Sequence, residues 1–186
     1  MRHSKHRFQR FLLKKVFHFQ VDYHVPVGAE KCVMVFAPHT SMWDFVLGRL
    51  VLMCMDLKPN VMVKKELFFF PLGLVLRHYG AIPVDRASAV RLPKFMAQHM
   101  RWTDRLTLMI APEGTRKRVE VWKRGFYYIA QAAEVPVFLS YIDWKSRTAG
   151  IGPQMQCTGD YEADFKQIVR FYTGMQGKYK GLFNLE

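Results

Sequence analysis

Short apolar runs alternate along the chain with segments in which apolar residues recur at three- and four-residue steps. The first pattern is typical of buried β-strands, and the second of helices that bury one face. The predicted strands cover residues 31–37, 60–64, 80–84, 106–111 and 135–142. The predicted helices cover residues 45–55, 87–101, 125–133 and 160–176.

Helices follow strands repeatedly in this order, which is the pattern of an α/β fold with a mostly parallel sheet. The chain has 186 residues, enough for one domain with its own core and short for two. No internal repeat, low-complexity tract or linker divides it. We therefore predict a single α/β domain with a mostly parallel, mixed sheet flanked by helices.

The first 25 residues are predicted to form a basic amphipathic helix that precedes the main domain, residues 26–186. The first 21 positions hold six basic residues and no acidic one. One face of this helix is mostly apolar and consists of Phe8, Phe11, Leu12, Lys15, Val16 and Phe19. Such a helix fits a membrane surface, and it fits equally well a helix that packs on its own domain with solvated charges.

Composition adds an excess of basic residues. The chain has 28 Lys and Arg against 15 Asp and Glu, a formal net charge of +13. This excess indicates an anionic partner, which leaves nucleic acid, an anionic membrane surface and a phosphorylated substrate open. Hydrophobic residues make up 50% of the chain and charged residues 23%, so a disordered chain is excluded.

The cysteines and the apolar runs exclude two further classes. Cys32, Cys54 and Cys157 are odd in number and widely spaced, so they fit neither a disulfide framework nor a paired-cysteine metal site. We expect a reducing, intracellular setting. A membrane-spanning helix needs about 18 or more consecutive apolar residues. The nearest candidate runs are interrupted by Arg49 and by Pro71.

Side chains suited to acid–base chemistry follow the first long predicted strand. On one continuous helix His39 and Asp44, five positions apart, would lie about 140° from each other. They can meet only if His39 lies in the loop before the helix and Asp44 in its first turn. Pro38 and the hydroxyls of Thr40 and Ser41 favour this arrangement. Asp44 would then bind one imidazole nitrogen and leave the other as a general base.

A purely structural interpretation of the same segment is available. Ser41 and Asp44 have the spacing of a capping box, in which the acid serves the helix N-terminus. A lone His near a strand end is also more often structural than catalytic. Taken alone, this segment favours the structural interpretation.

A second polar turn follows the predicted strand at 106–111. Its sequence is Pro112-Glu113-Gly114-Thr115-Arg116. The glycine permits close backbone approach, and the arginine can bind a phosphate through two hydrogen bonds. A solvated surface turn is the common alternative, but the turn would converge with His39 if the two strands are neighbours.

A third segment, residues 80–86, is an apolar stretch that ends in Asp85 and Arg86. Its structural interpretation is a strand closed by a charged turn. Alone it is a weak signal.

Together these segments resemble the glycerolipid acyltransferase family, the lysophosphatidate (1-acylglycerol-3-phosphate) acyltransferases and their relatives. The family's four motifs, in order, resemble residues 39–44 (His-x4-Asp), 80–86, 112–116 and 135–139. The resemblance covers roughly residues 31–141. It departs from the family in two ways, because Pro38 stands where Asn is frequent and only 38 residues precede His39.

The resemblance implies a glycerol-3-phosphate acyltransferase-like fold and an acyl transfer reaction. The donor would be a thioester, acyl-CoA or acyl-carrier protein. The expected acceptor is a lysophospholipid hydroxyl, most specifically that of 1-acyl-sn-glycerol-3-phosphate, which gives phosphatidate. In this resemblance His39 is the general base and Asp44 orients its imidazole.

The resemblance also implies the substrate-binding residues. Arg86 and Arg116 would bind the acceptor's phosphate. Glu113 would hold the Arg116 loop or contact the glycerol hydroxyl, and Gly114 and Thr115 would complete the binding turn. Backbone amides near Gly114 are candidates for binding the oxyanion. No metal and no cofactor beyond the acyl donor is expected.

Two other functions stay open at this point. The acceptor could be another lysolipid, such as one that contains an amino acid. The protein could also be a basic nucleic-acid- or lipid-binding module without catalysis, although its basic residues are scattered and match no nucleic-acid-binding signature. The protein is expected in the cytoplasm, associated with the inner face of the membrane. Nucleic acid is not expected as a partner.

Overall fold

The computed structural model of the protein describes residues 6–85 and 91–186 and contains a seven-stranded sheet with the order β1-β7-β6-β2-β5-β3-β4. The strands are β1 (Gln20–Val21), β2 (Lys31–Ala37), β3 (Pro59–Lys64), β4 (Ala81–Val84), β5 (Leu106–Ile110), β6 (Val137–Asp143) and β7 (Thr148–Met155). The helices are α1 (Arg7–Phe11), α2 (Met42–Cys54), α3 (Leu72–His78), α4 (Leu92–Arg101), α5 (Gly125–Ala133) and α6 (Tyr161–Tyr172).

Strand β2 lies at the centre of the sheet and is parallel to both of its neighbours, β5 and β6. Its residues alternate between two buried faces, because successive side chains of a strand point to opposite sides. Val33 and Val35 belong to one hydrophobic core, and Met34 and Phe36 belong to the other. A strand that is apolar on both faces must be covered on both, as parallel sheets are.

The two cores place helices on both faces of the sheet. One core contains residues of α4, α5 and α6, including Met96, Phe126 and Tyr172. The other contains residues of α2 and of the N-terminal segment, including Leu47 and Leu13. The predicted α/β class and the mostly parallel, mixed sheet flanked by helices are therefore confirmed.

Strand β7 gives the sheet its mixed character. It pairs antiparallel with β6 on one side and parallel with β1 on the other. The sequence pattern did not predict β7, because Gly150, Gly152 and Pro153 interrupt its apolar positions. Helix α3 and the two-residue β1 were also not predicted, since both are shorter than the periodic patterns that identify elements.

The predicted elements exist, with bounds that shift by a few residues. Helix α2 begins at Met42 rather than at 45, and α6 ends at Tyr172 rather than at 176. Helix α4 covers Leu92–Arg101, and residues 87–90 of the helix predicted at 87–101 lie outside the described residues.

The N-terminal helix is shorter than the predicted segment 1–25. Helix α1 continues as a π-helical turn, Leu12–Val16, after which Gln20 already pairs with β7. A π-helical turn has more residues per turn than an α-helix, so the predicted apolar face is out of phase. Leu13 and Phe19 are buried, whereas Phe8 is 69% exposed.

Helix α1 runs along α2 in the opposite direction. The His6 imidazole contacts Asp56, just past the end of α2, and the Phe17 ring contacts Trp43 in its first turn. The helix therefore packs on its own domain. None of the helices within residues 6–85 and 91–186 is long and apolar enough to cross a lipid bilayer.

Candidate active site

The predicted site residues lie where the carboxyl ends of two adjacent parallel strands meet. His39 follows β2 by two residues, and Glu113 follows β5 by three. Because β2 and β5 pair directly, their following loops come together at one edge of the sheet, where open α/β folds bind ligands. The backbone N–H of His39 donates a 2.8 Å hydrogen bond to Oε1 of Glu113, so the two loops are joined.

The loop from His39 into α2 has the geometry that the sequence predicts. Ser41 is the N-cap of α2, and its hydroxyl accepts a hydrogen bond from the backbone N–H of Trp43 at 3.0 Å. Asp44 completes a capping box: its Oδ2 accepts hydrogen bonds from the N–H groups of Thr40 at 2.7 Å and Ser41 at 2.6 Å. Asp44 therefore has the capping role that the structural interpretation gave it.

Asp44 also lies beside the imidazole of His39. Nδ1 of His39 is 4.0 Å from Oδ2 of Asp44, longer than a hydrogen bond, and it is buried without a hydrogen-bond partner among the described residues. Catalytic hydrogen bonds are often long before substrate binds, so this distance does not oppose a His–Asp pair. The capping and the orienting roles of Asp44 are compatible.

Burial controls the ionisation of this pair. It lowers the pKa of His39, and the nearby positive charge of Arg116 lowers it further, so the imidazole is neutral at pH 7. Burial raises the pKa of Asp44, and the hydrogen bonds from Trp144, Ser41 and Thr40 oppose this effect. A neutral imidazole beside a carboxylate is the arrangement that accepts a proton.

Glu113 is a third buried acid at the same edge. Burial raises the pKa of Glu113 to about 7, and the charge of Asp44 adds to this, while the hydrogen bond from His39 N–H lowers it. Among the described residues, the Glu113 carboxylate accepts a hydrogen bond from the backbone N–H of His39 and none from Arg116. This bond joins the turn that contains Glu113 and Arg116 to the loop of the neighbouring strand. The predicted roles of Glu113, holding the Arg116 loop or contacting the glycerol hydroxyl, stay predictions.

The turn that follows Glu113 is built around a left-handed glycine. Gly114 has φ = +68°, and its N–H donates to the carbonyl oxygen of Ala111 at 3.0 Å. That N–H serves the turn, so it is not available as an oxyanion donor. Thr115 accepts a hydrogen bond from the Lys117 N–H at 3.3 Å, and Arg116 is exposed near His39. Arg86 lies outside the described residues.

One residue of this site was not predicted from the sequence. The indole Nε1 of Trp144 donates a 2.7 Å hydrogen bond to Oδ1 of Asp44. Trp144 lies in the turn between β6 and β7, one hundred positions from Asp44. Neighbouring positions carry no local pattern that would reveal so distant a contact.

The segment Gln176–Tyr179 after α6 also contacts the His39 loop. The N–H of Tyr179 donates to Oγ1 of Thr40 at 3.2 Å, and the N–H of Trp144 donates to the carbonyl oxygen of Gln176 at 2.9 Å. The ammonium of Lys178 lies 5.3 Å from the centre of a Trp144 ring and 5.1 Å from that of Trp43. This segment therefore packs against the side of the Asp44 site that Thr40 and Trp144 form. Among residues 6–85 and 91–186, no group of His, Cys, Asp and Glu could hold a metal ion.

Comparison with known proteins decides the family. The sequence profile described as "Acyltransferase" matches residues 9–142, well over half of the chain. The chain belongs to the acyltransferase family. A comparison with curated proteins gave no match for this acyltransferase.

A solved structure shares the fold of this acyltransferase. The crystal structure of the 1-acyl-sn-glycerophosphate (LPA) acyltransferase PlsC from Thermotoga maritima matches with a TM-score of 0.60. The match covers 89% of this chain and 73% of PlsC, at 18% sequence identity. At this identity the match shows a shared fold, and the substrate named for PlsC is a property of PlsC alone.

Proposed function

We propose that this acyltransferase transfers a fatty acyl group from a thioester, acyl-CoA or acyl-carrier protein, to a lysophospholipid hydroxyl. The proposed acceptor is 1-acyl-sn-glycerol-3-phosphate and the product phosphatidate. The observation that carries the proposal is the neutral His39 beside the buried Asp44, with Arg116 at the same edge of the sheet. The fold shared with PlsC, whose substrate is of this class, supports the acceptor.

The chemistry requires no covalent intermediate on the protein. His39 Nε2 takes the proton of the acceptor hydroxyl while its oxygen attacks the thioester carbonyl carbon. The tetrahedral intermediate then collapses, the C–S bond breaks, and the leaving thiolate receives the proton from the imidazolium. Asp44 stabilises the positive charge that His39 acquires between these steps.

The acceptor's phosphate would bind to the arginines of the two substrate motifs. Arg116 is exposed and near His39, so it can hold the phosphate while the adjacent hydroxyl faces the imidazole. Arg86 is proposed as the second phosphate ligand from its motif alone. Glu113, Gly114 and Thr115 form the turn that presents Arg116.

We also propose that the enzyme binds the inner face of an anionic membrane, where a lysophospholipid resides. Helix α1 and the π-helical turn after it support this, because α1 exposes Phe8 and Phe11 with Arg7, and the turn exposes Lys14 and Lys15. Apolar residues flanked by cations are the pattern of helices that lie in a lipid interface.

The experiment that tests the reaction is acyl transfer by purified protein. Labelled acyl-CoA and acyl-carrier protein are offered with a panel of lysolipids, including lysophosphatidate and an amino-acid lysolipid. The His39→Ala and Asp44→Asn variants should fold and lose transfer by about 10²-fold or more, which is the usual contribution of general base catalysis. A folded His39→Ala protein with full activity would refute the mechanism, and transfer to another lysolipid alone would refute the acceptor.

A further inference from the structure

A second apolar surface lies on the segment between β3 and the first turn of α3. We call it the β3–α3 surface, and it consists of the exposed side chains of Leu67, Phe69, Phe70, Leu74 and Val75. Phe70 is 84% exposed and Phe69 is 58% exposed. Five large apolar side chains are exposed within nine consecutive positions, whereas apolar residues on a protein surface are normally scattered singly.

The segment is held in a defined conformation by its own contacts. The N–H of Gly73 donates to the carbonyl oxygen of Phe69 at 2.7 Å, and the N–H of Phe68 donates to that of Lys65 at 3.0 Å. A Cβ at Gly73 would meet the backbone oxygen of Phe68 at 2.7 Å, so only glycine permits this approach. The Arg77 guanidinium lies 5.4 Å from the centre of the Phe68 ring. This packing leaves Phe69 and Phe70 as the members of the aromatic run that project outward.

The position of this surface relates it to the candidate active site. The segment leaves the carboxyl end of β3, which pairs parallel with β5. Strand β5 in turn pairs parallel with β2. The carboxyl ends of these three strands meet at one edge of the sheet, so the β3–α3 surface and His39 lie at the same edge.

The charges at this edge complement an anionic surface. The loop after β5, residues 111–124, contains five basic residues and two acidic ones. One of those acids, Glu113, is buried. Lys64 and Lys65 lie shortly before the β3–α3 surface, with the exposed acid Glu66 between them and Leu67. Lys65 forms a 2.7 Å ion pair with Asp85. Apolar side chains beside a basic rim favour an anionic lipid leaflet over an acidic or apolar protein partner.

We propose that the β3–α3 surface inserts into the anionic leaflet that holds the acceptor. The sheet edge that carries His39 then contacts the membrane, and helix α1 is a second, separate contact. This inference rests on the proposed function insofar as the acceptor is a membrane lipid. A lysophospholipid whose acyl chain stays in the leaflet could then present its head group to Arg116 and His39.

The test compares two serine variants that remove exposed aromatic side chains at opposite edges. Phe69→Ser/Phe70→Ser alters the surface. Trp102→Ser is the matched control, because Trp102 is 83% exposed just before the amino end of β5. Binding is measured by co-sedimentation with vesicles of phosphatidylcholine, with and without phosphatidylglycerol.

We expect the double variant to bind the anionic vesicles at least about tenfold more weakly than the wild type, given the transfer free energy of two Phe side chains. The Trp102→Ser variant should bind as the wild type does. Equal binding by the double variant and the wild type would overturn the proposal. So would a wild-type dimer that dissociates in the double variant during sedimentation without lipid, because the surface would then be a contact between copies.

Activity measurements separate this inference from the proposed reaction. With acceptor in vesicles, the double variant should lose transfer in proportion to its lost binding. With acceptor dispersed in detergent, it should match the wild type. If the wild type acylates no lysophospholipid in either form, the proposed function fails, while the vesicle-binding result still decides the role of the surface.

Discussion

The indole N–H of Trp144 and the carboxylate of Asp44 form a 2.7 Å hydrogen bond that joins the turn after β6 to the first turn of α2. Asp44 is fully buried, and its other oxygen is occupied by the N–H groups of Thr40 and Ser41. The indole therefore provides a hydrogen bond to Oδ1 of Asp44, the oxygen that the capping box does not use. A buried carboxylate needs such donors to remain ionised.

Trp144→Phe should lower kcat and shift the pH profile. Removing the N–H takes away a contact that opposes the raised pKa of Asp44, so the carboxyl should protonate at higher pH. A hydrogen bond to a charged group contributes about 1.5–3 kcal/mol, so we expect kcat to fall about tenfold or more. The acidic limb of the kcat profile should move to higher pH.

Trp122→Phe is the control for this substitution. The Trp122 indole donates a 3.0 Å hydrogen bond to Asn184, in the core and away from Asp44. This variant should lose stability and keep the wild-type pH profile. Identical acidic limbs in both variants would show that Trp144 does not act through Asp44.

Arg116→Ala should raise the KM for the acceptor by about tenfold or more, as expected for lost hydrogen bonds to a charged phosphate. It should also raise the pKa of His39, because the charge of Arg116 lowers it. The acidic limb of kcat/KM would then move up toward pH 6.5, the ordinary value for imidazole. Lys117→Ala, at the adjacent exposed position, is the control for lost charge. An acceptor KM that both variants leave unchanged would place the phosphate elsewhere.

Glu113→Gln should change how stability depends on pH. The pKa of Glu113 is about 7 in the fold and 4.5 when unperturbed. Between these values the folded state binds more protons than the unfolded state, so Glu113 makes the wild type less stable as pH rises from 4.5 to 7.

The Gln variant keeps an oxygen that can accept the His39 N–H and has no proton to lose. Relative to the wild type, its unfolding free energy should therefore rise across this interval by up to about 3 kcal/mol and stay constant above it. Urea unfolding of both proteins from pH 4.5 to 8 measures the difference. A difference that does not change with pH would mean that Glu113 is ionised throughout.

Gly177→Ala should disturb the His39 loop. An added Cβ would lie 2.5 Å from Oγ1 of Thr40, the residue next to His39. We expect a loss of about 1–3 kcal/mol in stability, as for other overpacked sites, together with a lower kcat. Gly125→Ala is the control, because a Cβ at Gly125 meets nothing within 4 Å. If both variants turn over equally well, Thr40 does not need its present position.

The predictable part of this protein is the part that local sequence encodes. The spacing of Ser41 and Asp44 predicted the N-cap and the loop before α2, because capping involves residues only three apart. The apolar run at residues 31–37 predicted β2 as a buried strand, since both faces of the strand are apolar.

The parts that could not be predicted depend on distant contacts or weak patterns. Trp144 reaches Asp44 through a turn between β6 and a strand rich in Gly and Pro, so neither the strand nor the contact has a local signature. The contact of Glu113 with the His39 backbone required β5 to pair with β2, which follows from the sheet order rather than from either turn. The outward direction of Phe69 and Phe70 depends on the close packing of Gly73 on Phe68.

The contacts of Gln176–Tyr179 with Thr40 and Trp144 have a consequence for protein synthesis. A ribosome makes the His39 loop early and residues 176–179 more than 130 positions later. Until residues 176–179 emerge, a nascent chain can pair its central strands but lacks the backbone that contacts Thr40. Catalytic competence should therefore arrive late in translation, after most of the sheet has formed.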